Sequence, residues 1–173
     1  MDWIAHIVLV FLAIRTMVTV ANWLIWPKLS KSGEKHQDLI SILIPARNEA
    51  VNIGKTIRQI ESQEYGQYEL LILDDNSDDA TAQIVGEAQA KNNKIRLLSG
   101  TALPKGWLGK NWACHQLSQE ARGQYLLFID ADVAVKPSLI ASALSEVKKH
   151  NLALLSIFPD QELDGWLRFD IPD

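Results

Sequence analysis

From residue 39 onward, short apolar runs alternate with helical stretches, and this alternation limits the fold more than any other feature. The runs are residues 39–44, 69–73, 95–98, 126–129 and 152–158. Between them, residues 49–63, 80–91, 111–122 and 137–150 read as helices. Val51, Ile53, Ile57 and Ile60 give the first of these a partial apolar stripe. Pro137 suits the first turn of the last. Runs this short and this continuously apolar fit strands buried on both faces. Strands alternating with helices imply right-handed crossovers and a mostly parallel sheet, hence an α/β fold.

Three of the runs end in polar clusters: Pro45-Ala46-Arg47-Asn48-Glu49, Asp74 to Asp79, and Asp130-Ala131-Asp132. Ligands of open α/β sheets bind at the carboxyl ends of strands. In extended chain, residues i and i+2 point the same way, so Asp130 and Asp132 are expected to aim at one point. Paired carboxylates repel unless a cation or a proton intervenes, and hard oxygen ligands suit Mg²⁺ or Mn²⁺. A helix cap or a solvated turn explains those two acids equally well when they are taken alone. Three clusters on one sheet edge favour a site. Ser77, Asp78 and Asp79 are read mostly as caps of the helix that follows. Asp75 is the better ligand candidate, since it comes directly after the strand. The loop 99–110 is long for a crossover and carries Lys105 and Lys110, point charges that suit a diphosphate. Trp112 is expected to pack as core on its helix, whereas Trp107 is free to wall a sugar or touch a membrane-embedded acceptor.

Residues 3–26 form an apolar segment that spans about 35 Å as a helix, enough for a bilayer core. Arg15 near its middle costs roughly 3 kcal/mol on the insertion scale, while its Leu, Ile, Val and Phe residues return roughly 4–7 kcal/mol. Trp3, Trp23 and Trp26 sit where an aromatic belt would lie. A helix lying on the membrane surface is the rival reading, given His6, Arg15 and Asn22. A cleaved signal peptide fits less well, because no small-residue cleavage site follows. Lys28, Lys31 and Lys35 follow the segment, so the positive-inside rule places the rest of the chain in the cytoplasm, at the inner membrane. Residues 27–38 are polar, contain Pro and Gly, and read as a linker; residues 39–173 form the domain.

Several functions are excluded by spacing or charge. The formal net charge of −4 gives no support to a nucleic-acid partner. The single cysteine, Cys114, permits no intramolecular disulfide and is read as a buried small residue. Asp74-x-Asn76-x-Asp78 starts like a calcium loop, but Asp79 and Val85 stand where Gly and Glu are needed. Gly109-Lys110 fails as a P-loop at Pro104 and Asn111. No G-x-G-x-x-G follows the first strand, and no G-x-S-x-G occurs.

The ordered motifs PARNEA (45–50), LDDNSDD (73–79), Gly109-Lys110 before a helix, and FIDADV (128–133) resemble the family 2 glycosyltransferases of the GT-A fold. The segment 103–117, LPKGWLGKNWACHQL, is most similar to the bacterial branch that acts on lipid acceptors such as carotenoids or hopanoids. The resemblance implies a Rossmann-like nucleotide-sugar-binding half with a mostly parallel sheet, behind an N-terminal membrane helix. It implies that Pro45, Ala46, Arg47, Asn48 and Glu49 line the uracil and ribose pocket, that Asp75 holds the uracil or ribose, and that Lys110 lies beside the nucleotide. It implies that Asp130 touches ribose or metal and that Asp132 binds Mg²⁺ or Mn²⁺ across the diphosphate. The implied activity is inverting transfer of a hexose from a UDP-sugar-type donor to a lipid or polyprenoid-like acceptor. The family's base carboxylate has no match here, as Asp160, Glu162 and Asp164 do not align with it, and the domain reads as incomplete at its C-terminus. The alternatives are a nucleotide-sugar-binding remnant without turnover and, less well supported, a nucleotidyltransferase.

Overall fold

The computed structural model describes residues 2–25, 29 and 36–157. The chain separates into two compact units, Met1–Ser30 and Lys31–Asp173. The first holds one helix, α1 (Asp2–Ile25). Its stretch Trp3–Asn22 is long and apolar enough to cross a membrane, and none of it is buried; a signal sequence would pass the same test. Arg15 leans over Phe11, 6.0 Å from the ring centroid. Trp26, Lys28, Lys31, Lys35 and most of the expected linker lie outside the described residues, as does the side chain of Trp23.

The second unit is the expected α/β layer. Its elements are β1 (Ile40–Ala46), α2 (Ile53–Glu61), β2 (Tyr68–Asp74), α3 (Thr81–Lys91), β3 (Ile95–Ser99), α4 (Gly109–Glu120), β4 (Tyr125–Phe128) and α5 (Leu139–Lys149). The four strands are parallel, in the order β3-β2-β1-β4. The chain steps outward from β1 to β3, then crosses back to lay β4 on the other side of β1. That reversal creates a crevice between the carboxyl ends of β1 and β4.

Both central strands are buried on both faces, which explains their continuous apolar sequence. On one face Ile40, Ile42, Ile44, Leu70 and Ile72 join Ile53, Ile57 and Ile60 of α2, Val85 of α3, and Ile140 and Leu144 of α5. On the other face Leu43, Leu71 and Leu73 meet Ala113 and Leu117 of α4. Burying each such Leu or Ile side chain contributes about 1.5–3 kcal/mol, so β1 and β2 anchor the unit.

Three expectations fail here. The run 126–129 was expected to be buried on both faces, yet Leu126 and Phe128 are 44% and 47% exposed. The reason is position: β4 is an edge strand, and α4 lies over β1 and β2 rather than over it. Residues 152–157 form no strand, and Phe158 lies outside the described residues. Val51 is not part of a helical stripe but is 92% exposed. The N–H groups of Asn52 and Ile53 both bond to the Glu49 carbonyl, so residues 49–52 are a turn and α2 begins only at Ile53.

Candidate functional site

The site begins with two turns at the ends of β1 and β2. After β1, Asn48 takes a left-handed conformation with φ of 57°; after β2, Asn76 does the same with φ of 54°. Asparagine tolerates this region better than other residues with a side chain, and the two turns let both strands end abruptly. The turns then interlock. The Asn48 N–H donates to Ser77 Oγ at 2.9 Å, and the Asp78 N–H donates to Asn48 Oδ1 at 2.8 Å. The N–H of Glu49 reaches Thr81 Oγ1 at 2.8 Å, and that of Ala50 reaches Asp79 Oδ2 at 3.0 Å. Ser77 and Asp78 therefore do not cap α3 as expected; the Ser77 hydroxyl and the Asp78 N–H are engaged with the loop after β1. Asp79 does both jobs, since its Oδ1 also accepts the Thr81 N–H and hydroxyl. Those donors, led by the Thr81 hydroxyl, hold the Asp79 carboxyl below its usual range.

Asp75 is tied to β1 by its N–H, which donates to the Ala46 carbonyl at 2.8 Å. Ala46 thus contributes backbone, its side chain being buried. The carboxylate of Asp75 lies between two glycines. A Cβ at Gly100 would sit 3.1 Å from its Oδ1, and one at Gly109 would sit 3.9 Å from its Oδ2. The first of these contacts is tight, so a side chain at Gly100 would press on Asp75. Next to it, Asp74 has a buried Oδ1 with no hydrogen-bond partner among the described residues.

Gly109 and Lys110 open α4. From there the Lys110 ammonium reaches Asp130 Oδ1 at 2.7 Å. The Asp130 carboxylate, with a smaller contribution from the charge of Asp132, raises the Lys110 pKa. Lys110 thus pairs with Asp130, while Asp132 acts on it only through a weaker charge effect, and the two acids are not aligned by the expected extended chain. The chain is not extended there: the Val133 N–H bonds back to the Asp130 carbonyl at 3.3 Å, closing a turn. The turn is fixed from α2, where the Thr56 hydroxyl donates to the Ala131 carbonyl at 2.6 Å. Asp132 opens on a small cavity of about 30 Å³ shared with Asn52, Lys55, Thr56 and Gln59.

Of the remaining candidates, Arg47 is exposed, and its guanidinium has no ion pair or hydrogen bond among the described residues. Pro45 is half-buried in β1, and the Glu49 carboxylate accepts from Asn52 Nδ2 at 3.0 Å. Asp160, Glu162 and Asp164 lie outside the described residues. Thr56 and Thr81 are the residues that sequence reasoning missed, and Ser77, read as a helix cap, instead joins the two loops. Their only signal was a hydroxyl in an apolar stripe or at a helix start, where a solvated residue looks the same. Cys114 is half-buried rather than buried, and that burial pushes its thiol pKa up. Trp112 does not pack in the sheet-facing core. It stacks on His115 and meets Trp107 edge-on, with centroids 5.4 and 5.1 Å apart.

No group of three or more His, Cys, Asp or Glu side chains suited to a metal occurs among the described residues. Asp130 and Asp132, two residues apart in one turn, nevertheless suit Mg²⁺ or Mn²⁺ by chemistry, since these ions commonly take one or two carboxylates and complete their shell with substrate phosphates and water.

Residues 41–169 match the model of "Glycosyl transferase family 2", a region that contains the four strands except Ile40 and every residue of the edge just described. The chain belongs to this family. It is 31% identical over 120 residues to a beta-monoglucosyldiacylglycerol synthase of Trichormus variabilis, covering 68% of this chain and 25% of that protein. It is 33% identical over 131 residues to a 4,4'-diaponeurosporenoate glycosyltransferase of Staphylococcus haemolyticus, covering 75% of this chain and 34% of that one. The chain therefore spans between a quarter and about a third of the length of these relatives. Among solved structures, it superposes on a Pyrobaculum calidifontis mannosyltransferase in complex with GDP-Man and Mn²⁺ with a TM-score of 0.56 at 20% identity, covering 65% of this chain and 33% of that one. S. aureus TarS 1-349 gives 0.54 at 24% identity, with the same coverage of 65% and 33%. These likenesses establish the GT-A-type α/β fold of the second unit.

Proposed function

We propose that this chain forms the donor site of a membrane-anchored glycosyltransferase, which takes a UDP-sugar-type donor and passes the sugar to a lipid-type acceptor. The observation that carries the reading is the convergence of Asp75, Lys110, Asp130 and Asp132 on one sheet edge in a family 2 chain. Asp75 offers carboxylate oxygens to the N–H or hydroxyl donors of a nucleoside. Asp130 and Asp132 would hold Mg²⁺ or Mn²⁺. When bound, such an ion supplies Lewis-acid stabilisation of the departing diphosphate. Lys110 would move from Asp130 to the diphosphate. That move is inexpensive, because a pair with side chains 64% and 51% exposed is worth at most about 1 kcal/mol. Arg47 is a second cation free to meet the donor. The lipid acceptor is supported by the named activities of the two relatives. The anchor would be α1, with Lys28, Lys31 and Lys35 favouring the cytoplasmic side for the catalytic unit.

Calorimetric titration of UDP-glucose, with and without Mn²⁺, tests the donor site. Binding should require Mn²⁺ and weaken sharply in Asp132→Ala. Binding that ignores both the metal and the substitution would sink the metal role. Donor binding and transfer are separate claims. Transfer of labelled sugar to a lipid extract would exclude a binding remnant without turnover. Release of pyrophosphate from a nucleoside triphosphate and a sugar phosphate would point instead to a nucleotidyltransferase.

A further inference from the structure

The loop between β3 and α4 presents apolar groups to solvent. Leu103 is 55% exposed, Trp107 41% and Leu108 71%. Trp107 rests on Trp112 and His115, with ring centroids 5.1 Å from each. The indole Nε1 of Trp112 is within hydrogen-bond reach of the Thr101 carbonyl and hydroxyl at 3.3 and 3.2 Å, which fixes the ring beneath Trp107. The result is a braced aromatic knob with leucines at its rim, at the start of the helix that carries Lys110.

The loop's own charge is of one sign. Residues 100–109 contain Lys105 and no Asp or Glu, while Lys110 and Arg96 are already paired, with Asp130 at 2.7 Å and Glu120 at 2.8 Å. Lys105 sits inside the loop, between Leu103 and Trp107. Indole rings combine an apolar body with a polar edge and concentrate at bilayer–water interfaces. Lysines beside them are attracted by anionic headgroups. A protein partner would be met by the same apolar groups, but a loop that carries a lysine and no carboxylate of its own favours an anionic lipid surface. The same chain carries a helix long and apolar enough to cross a bilayer.

We infer that the loop of residues 101–108 docks on an anionic lipid surface, with Leu103, Trp107 and Leu108 entering the headgroup region and Lys105 meeting the negative charge. It rests on the proposed function in one respect: docking there would present the Lys110–Asp130 edge to an acceptor held in the membrane.

The test uses the full chain reconstituted in vesicles. A fluorescent nitrobenzoxadiazole group is placed on Leu108→Cys in a Cys114→Ser background, with Gln83→Cys on exposed α3 as the reference position. In vesicles containing phosphatidylglycerol, the label at 108 should be quenched by doxyl-labelled lipid and shielded from iodide, and the label at 83 should not. Trp107→Ala should restore iodide access at 108. Lys105→Gln should lower residence at the surface by about five-fold, the value of one lysine near an anionic leaflet. Equal iodide access at 108 and 83 would overturn the inference. So would equal shielding in purely zwitterionic vesicles, or loss of shielding on adding a protein that competes for the loop while lipid quenching is absent. UDP-glucose binding measured on the same labelled chain reports separately on the donor site, so failure of one reading is distinguishable from failure of the other.

Discussion

Thr56→Val removes one hydroxyl that lies far in sequence from the acids it serves. Thr56 is 2% exposed, and its Oγ1 donates at 2.6 Å to the carbonyl of Ala131, itself 3% exposed. Valine keeps the shape, so no large cavity forms. The Ala131 carbonyl then loses its partner in a site with little water access. Leaving a buried acceptor unsatisfied costs about 1–3 kcal/mol. Taking about 2 kcal/mol, the melting temperature should fall by about 4–8 °C for a domain of this size. The same change releases the turn that fixes Asp130 and Asp132, so affinity for Mn²⁺ and for UDP-glucose should fall along with stability. Thr56→Ser keeps the donor and should restore both. Thermal unfolding followed by circular dichroism gives the first quantity, and Mn²⁺ titration at a temperature well below unfolding gives the second. An unchanged melting temperature in Thr56→Val would refute the energetic argument. A lowered melting temperature with unchanged Mn²⁺ affinity would refute the positioning role.

Gly123→Ala should destabilise the unit by about 3 kcal/mol, since its Cβ would stand 2.5 Å from the Ser41 N and 2.8 Å from the Leu39 carbonyl, both backbone; chemical denaturation measures it, and a loss under about 1 kcal/mol would contradict the contact. Lys110→Met should have a pH signature. The partner carboxylate raises the folded pKa of Lys110 above its ordinary value of 10.5, so the pair's small contribution is present below that value and lost as pH rises through the folded one. The stability difference between Lys110→Met and the parent should therefore be flat through neutral pH and vanish in strong alkali, as read from denaturation midpoints. Asp79 behaves with the opposite sign. Its folded pKa is lowered from 3.8, so its contribution is present above that value and lost as acid carries the pH through the folded one. Asp79→Asn retains one acceptor oxygen for three donors, and faster amide exchange at Ala50 and Thr81 is the expected result.

The sheet was legible because its two central strands are buried on both faces, and a strand in that position cannot hide its composition. Leu43, Leu71 and Leu73 face one way, and Ile42, Ile44, Leu70 and Ile72 the other, so nearly every position had to be apolar; the buried exceptions, Ser41 and Glu69, bond to each other at 2.6 Å. The same logic misled at residues 126–129. There the sequence is equally apolar, but β4 stands at the sheet edge among the described residues and α4 does not cover it, which leaves Leu126 and Phe128 in solvent. Residues 152–157 are also apolar in large part, and composition alone cannot supply the neighbouring strand that pairing requires.

The sequence by itself determined which chemistry the edge could hold. Carboxylates after β2 and β4, a lysine at the head of a helix, and asparagines where strands must turn are local choices, fixed by side-chain chemistry and backbone preference. Only the tertiary structure decided which of these groups meet. The reversal of strand order brings Asp130 beside β1, and the start of α4 swings Lys110 onto it. The hydroxyls of Thr56, Ser77 and Thr81 became part of the site because hydrogen bonds between loops pair groups about thirty to seventy-five positions apart. No periodicity marks such a partner in advance. A hydrogen bond of this kind depends on two chain segments arriving within about 3 Å of each other, which is a property of packing and not of either segment alone.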